Sequence, residues 1–197
     1  ILGICGWGCI ALNAAANDPR IKAVVASTMY DMPRIGAWGY NDSGTADDRY
    51  RAKQEIADLR TSEYAAGLTK HAFTTIPVDQ LTGKEPDFVR QYSEYYKAPR
   101  GYHPRSVNSN LGWMQQAMTG WMNNAILSHP EDLRAPVLIV HGEKAHSRYM
   151  GEDISRRLKG DNKQLLIVPG ATHTDLYDQT DKIPFDCIAD FYRTNLK

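Results

Sequence analysis

The chain has 197 residues, 42% apolar and 23% charged, enough for one domain with a full core and too few to argue for two. Lys plus Arg and Asp plus Glu number 23 each, so the formal net charge is zero and nothing draws the chain toward nucleic acid or an anionic membrane. No apolar run approaches the roughly 20 residues of a membrane span.

The opening Ile1-Leu2-Gly3-Ile4 reads as a strand already under way, and with no initial Met it implies a segment upstream. A helix follows over about Gly8 to Ala16 and stops at Asn17-Asp18-Pro19. Three later runs are apolar without alternation, the mark of buried parallel strands: Lys22 to Thr28, Pro136 to His141 and Gln164 to Val168. Each leads into a turn and then a helical pattern, as βαβ units do.

Between the first two of these runs lie roughly 100 residues, far beyond an ordinary crossover. Helical patterns over Asp47 to Leu68, Pro86 to Tyr96 and Leu111 to Leu127 predict an inserted helical cap over the carboxyl ends of the strands. The final helix opens at Pro184 and is expected to dock Phe185, Ile188, Ala189, Tyr192 and Leu196 on the sheet. The expected fold class is α/β with a mostly parallel sheet. Residues 1–28 supply a strand, helix and strand, 29–134 the cap and 135–197 the rest of the core.

Cys5, Cys9 and Cys187 are odd in number and unevenly spaced, which suits reduced thiols in a cytoplasmic protein. Cys5 lies in Gly3-Ile4-Cys5-Gly6-Trp7-Gly8, between strand and helix, where a nucleophile needs small neighbours. A helix N-terminus favours the thiolate, and the Gly6 N–H is a candidate oxyanion donor. The same segment also reads as a tight turn around a buried cysteine. Cys9 and Cys187 read as structural thiols. The glycine order is not that of a dinucleotide-binding loop.

Pro169-Gly170-Ala171-Thr172-His173 follows the last strand and sets His173 where a base can meet a nucleophile from a neighbouring strand. His141 and His146 do not have metal-ligand spacing, so no metal is expected, and no cofactor is implied.

With these motifs in hand, the chain resembles the C-terminal half of an α/β-hydrolase, closest to the dienelactone-hydrolase-like branch. The resemblance rests on the Cys5 elbow, on Leu138-Ile139-Val140-His141-Gly142 and on Gly170-Ala171-Thr172-His173. It departs at Trp7, where such elbows usually carry glycine, and at Ala145, where the acid usually stands. Two carboxylates are candidates for that acid: Glu143, just after the strand, and Asp31, just past the preceding one.

The resemblance implies a small-molecule acyl substrate (an ester, thioester or lactone) attacked by Cys5, with His173 relaying the proton. An acyltransferase would use the same pair. Trp7, Arg100, His103, Trp113 and His146 are candidates for substrate contact, although Trp113 also fits a stripe packing the cap. Such hydrolases place strands before the elbow, so an open sheet edge is expected to recruit a missing N-terminal half or a second copy. The alternative is a catalytically incomplete half-domain acting as a binding or structural subunit.

Overall fold

The computed structural model describes residues 1–69 and 75–196. In chain order its elements are β1 (Leu2–Ile4), α1 (Gly6–Asn17), β2 (Val24–Ser27), α2 (Met32–Trp38), α3 (Ala46–Ala66), α4 (Asp87–Tyr96), α5 (Val107–Leu111), α6 (Met118–Trp121), β3 (Val137–Gly142), α7 (Arg148–Arg157), β4 (Lys163–Val168), α8 (Asp175–Asp178) and α9 (Phe185–Asn195). They form two compact units, residues 1–32 with 125–197, and residues 33–124.

The first unit is α/β. Its four strands are all parallel and lie in the order β1-β2-β3-β4, so each pairs with its neighbours in sequence. Ile4, Ser27, Val140 and Leu166 form one row across the sheet. The carboxyl ends of the strands therefore line one edge, with β3 and β4 running two residues further.

Every residue of β2 and β3 is buried, which explains why these runs show no polar alternation. Val25, Leu138 and Val140 meet Leu176, Ile188 and Phe191 on one face. Full burial of such side chains contributes roughly 1.5–3 kcal/mol each. The two-residue period sends Ile139 and His141 to the other face, against α7. There a Cβ on Gly151 would fall 2.3 Å from the His141 ring, so only glycine permits the approach.

The last helix docks on a different set from the expected one. Ile188 and Phe191 are buried and Tyr192 packs beside them, whereas Phe185 and Leu196 are exposed. Phe185 is the first helical residue, and helical side chains lean toward the N-terminus, so its ring overhangs the start. Leu196 already lies past the last turn.

In the second unit α3 begins with a capping box, Thr45 and Asp48 each accepting from the other's backbone N–H, and ends at Gly67 in the left-handed region. Tyr40, Phe88, Tyr92 and Tyr96 form a chain of ring contacts 4.7–6.4 Å between centroids. The i, i+4 spacing of the last three follows from one face of α4.

The continuous helix expected over 111–127 is not formed. α5 ends at Leu111, Gly112 takes φ 88°, Met114 is extended, and a 3-10 turn over Gln115–Ala117 leads into the single turn of α6. Helical spacing of Trp113, Ala117 and Trp121 thus misled, because Gly112 breaks the backbone before the stripe begins. Among the described residues, no helix is long and apolar enough to cross a membrane.

Candidate active site

β1 passes into α1 with no loop, and Cys5 is the hinge. Its φ of 57° and ψ of −128° are unusual for a residue with a side chain and store on the order of 1–3 kcal/mol of strain. Backbone bonds hold it there: its N–H donates to Ser27 O at 3.1 Å, and its carbonyl accepts from Gly8 N at 3.0 Å and Tyr30 N at 2.9 Å.

The crossing of helix and strand is tight. A Cβ on Gly3 would lie 2.2 Å from the Trp7 carbonyl oxygen, and one on Gly8 3.0 Å from Met29 Cβ. Gly3 and Gly8 therefore make the crossing, while the Trp7 side chain turns outward and is 72% exposed. A tryptophan two residues after Cys5 therefore meets no obstacle. Cys5 occupies the N-cap position of α1 without a side-chain capping bond, and Gly6 supplies the first of the amides that a helix leaves without intrahelical partners.

His173 reaches the same edge from β4, after a turn in which Gly170 takes φ 68°. It is fully buried. Thr28, just after β2 and itself at φ 43°, donates from Oγ1 to the His173 carbonyl at 3.3 Å. Both ring nitrogens face hydroxyls: Nδ1 lies 2.7 Å from Ser147 Oγ, and Nε2 lies 2.9 Å from the Tyr177 oxygen.

The Tyr30 ring sits edge-on to His173 and to His146, with centroids 6.2 and 6.0 Å away, and its amide is the one bonded to Cys5. The rings of His146 and His173 are 4.6 Å apart. Residues following all four strands thus converge on one edge of the sheet.

Burial governs the electrostatics. It pushes His173 well below the usual histidine value, with His146 and then His141 adding to the effect. It lowers His146 to about 4. His141 falls to about 3, through burial first and then His146 and Arg148. Both of its ring nitrogens are buried without a hydrogen-bond partner among the described residues. All three imidazoles are neutral at pH 7.

The two carboxylates singled out in the sequence have other partners. Glu143 Oε2 accepts from Gly170 N–H at 2.8 Å and its own N–H donates to Val168 O, so it ties the end of β3 to the turn after β4. Asp31 is buried beside Cys9. Burial raises the Cys9 thiol, and the Asp31 charge and hydrogen bond raise it further, against the pull of Arg157.

In the second unit, the Arg100 guanidinium lies over the Tyr95 ring at 5.4 Å, His103 Nδ1 accepts from Arg105 N–H at 3.2 Å, and Trp113 is 39% exposed. Among the described residues no group of His, Cys, Asp or Glu is arranged to hold a metal. Sequence reasoning did not assign Ser147 or Tyr177 to the histidine. The available signal was position: Tyr177 follows His173 by one helical turn, and Ser147 lies two residues past the empty acid position.

No family model matches the chain. It is 46% identical over 197 residues to the protein PA2218 of Pseudomonas aeruginosa, covering all of this chain and 52% of that protein. It is 29% identical over 178 residues to YcjY of Escherichia coli, covering 90% of this chain and 56% of that one. The chain thus spans about half the length of the curated relatives it matches. The crystal structure of PA2218 superposes with a TM-score of 0.91 over 98% of this chain and 60% of its own. The α/β hydrolase GrgF of Penicillium sp. superposes at 0.65 with 17% identity, over 98% and 62%. The parallel sheet and its helices have the α/β-hydrolase fold.

Proposed function

We propose that this chain carries the nucleophile and the base of a thiol hydrolase of the dienelactone-hydrolase-like branch, acting on a small ester, thioester or lactone. The observation that carries the reading is the strained backbone of Cys5 at the strand-to-helix turn. Strain of this kind persists where surrounding structure enforces it, and here three backbone hydrogen bonds and two glycines do so.

In the proposed reaction the Cys5 thiol gives its proton to His173 Nε2 as Sγ attacks the substrate carbonyl carbon. The carbonyl oxygen becomes an oxyanion that accepts from the Gly6 N–H. The tetrahedral adduct collapses, the bond to the leaving alcohol or thiol breaks, and His173 returns the proton to that group. Water then attacks the acyl-Cys5 with His173 taking its proton, releasing the acid and restoring the thiol. A different acceptor in place of water would make the chain an acyltransferase. Trp7 and His146 are proposed to contact the acyl group, since one is exposed at the elbow and the other stacks on His173.

Two further proposals concern setting. β1 pairs only with β2 among the described residues, and Ile1, Leu2, Ile4 and Trp7 are exposed there. Such an edge calls for a further strand, from a longer form of this chain or from a second copy. Among the described residues none of the three cysteines forms a disulfide, which suits a reducing cytoplasm.

The test is turnover of p-nitrophenyl acetate by the full-length protein, with mass analysis of the acylated intermediate. Acetylation mapped to Cys5, and turnover abolished in Cys5→Ala with the fold intact, are expected. Undiminished turnover in Cys5→Ala would overturn the assignment.

A further inference from the structure

We infer that Ser147 is the positioning residue of His173, holding Nδ1 from the place where a carboxylate would otherwise stand and so leaving Nε2 as the basic nitrogen. The contact itself is short: Oγ lies 2.7 Å from Nδ1, and both residues are fully buried.

A second, independent observation concerns what Ser147 does not do. It occupies the N-cap of α7, where a serine side chain normally accepts from the amides of the first turn, yet its hydroxyl makes no capping bond. The hydroxyl is directed at the histidine instead. Of the nearby carboxylates, Glu143 accepts from the Gly170 amide, Asp31 is hydrogen-bonded with Cys9, and Asp175 accepts from Thr172 N–H and Lys182.

The direction of the hydrogen bonds follows from acidity. A neutral imidazole has one N–H and one lone pair; in His173 a phenol faces Nε2 and an aliphatic hydroxyl faces Nδ1. The phenol, with an ordinary pKa of about 10, is much the better donor. Tyr177 therefore donates to the Nε2 lone pair, and Nδ1–H donates to Ser147 Oγ. This is the tautomer a general base needs, with Tyr177 occupying Nε2 until a more acidic proton replaces it. A hydroxyl cannot stabilise an imidazolium as a carboxylate does. The His173 ring therefore rests neutral, as its burial also requires.

The kinetic part of this inference rests on the thiol-hydrolase reading, and the ring tautomer does not. The experiment is nitrogen-15 NMR of the histidine rings in the full-length protein, the His173 signal being the one lost in His173→Gln. The wild-type ring is expected in the Nδ1–H form. Ser147→Ala should populate the Nε2–H form and lower kcat on p-nitrophenyl acetate by about 10- to 100-fold, less than the roughly 10⁴-fold seen where a wrong tautomer is locked in. KM should change by less than about threefold, and Ser147→Thr should restore both ring and kcat. A wild-type ring in the Nε2–H form, or a Ser147→Ala ring unchanged from wild type, would overturn the inference. If Cys5→Ala keeps full turnover, the hydrolase reading fails while the ring measurement still decides the role of Ser147.

Discussion

Cys5 and His173 reach the same edge of the sheet and are held there by different means. Cys5 is fixed by the main chain, through its bonds to Ser27, Gly8 and Tyr30 and through the crossing that Gly3 and Gly8 permit. His173 is fixed by side chains, with Ser147 and Tyr177 on its nitrogens, Thr28 on its carbonyl and the rings of Tyr30 and His146 against it. A side chain placed by the backbone gains accuracy from shape, which requires glycine at the close approaches of Gly3 and Gly8. A ring held by hydroxyls gains it from pairwise bonds, which can be removed one at a time.

The contrast can be tested at both ends, and the largest effect is at the elbow. If Cys5 is the nucleophile, as proposed, Cys5→Ala should lower turnover of an activated ester by at least about 10³-fold, because the attacking sulfur is lost. Gly3→Ala puts a methyl 2.2 Å from the Trp7 carbonyl and should cost at least about 3 kcal/mol of stability in urea denaturation, with turnover falling alongside. A mild response would mean that the elbow relaxes and that shape does not hold Cys5.

The histidine end should respond to acid. His141 ionises in the unfolded chain near its ordinary value of 6.5 but in the folded protein only at about 3. Between those values the unfolded chain binds more protons, so stability is complete above pH 6.5 and declines as pH falls toward 3. The loss at pH 4.5 should be on the order of 3 kcal/mol for His141 alone. His146 and His173, depressed in the same direction, steepen it. Denaturation midpoints equal at pH 7.5 and 4.5 would show that the cluster takes up protons without unfolding.

Single bonds come last. Tyr177→Phe removes the hydroxyl facing the buried Nε2 and should lower stability by about 1–2 kcal/mol in thermal denaturation. Glu143→Gln keeps an oxygen for the Gly170 amide, and its turnover should stay within about threefold of wild type. A much larger loss would return Glu143 to the role of acid.

Much of the scaffold was legible from local pattern. The strands announced themselves as short apolar runs, in β2 and β3 because a parallel strand covered on both faces has nowhere to put polar side chains. The elbow showed in Gly3, Cys5 and Gly8, since a helix crossing its own preceding strand so closely needs small residues. Local pattern failed where backbone conformation overrode spacing, as at Gly112, and at the ends of α9, where Phe185 and Leu196 keep the period but overrun the surface they were expected to cover.

By itself, then, the sequence determined the parallel α/β core, the position of Cys5 at a strand-to-helix turn and the position of His173 after the last strand. These are properties of neighbours along the chain. Tertiary structure decided which groups face the histidine. Ser147 and His173 are 26 residues apart, and Thr28 and His173 are 145 apart. Such contacts depend on the order and register of four strands, in which a shift of one residue turns every side chain to the opposite face.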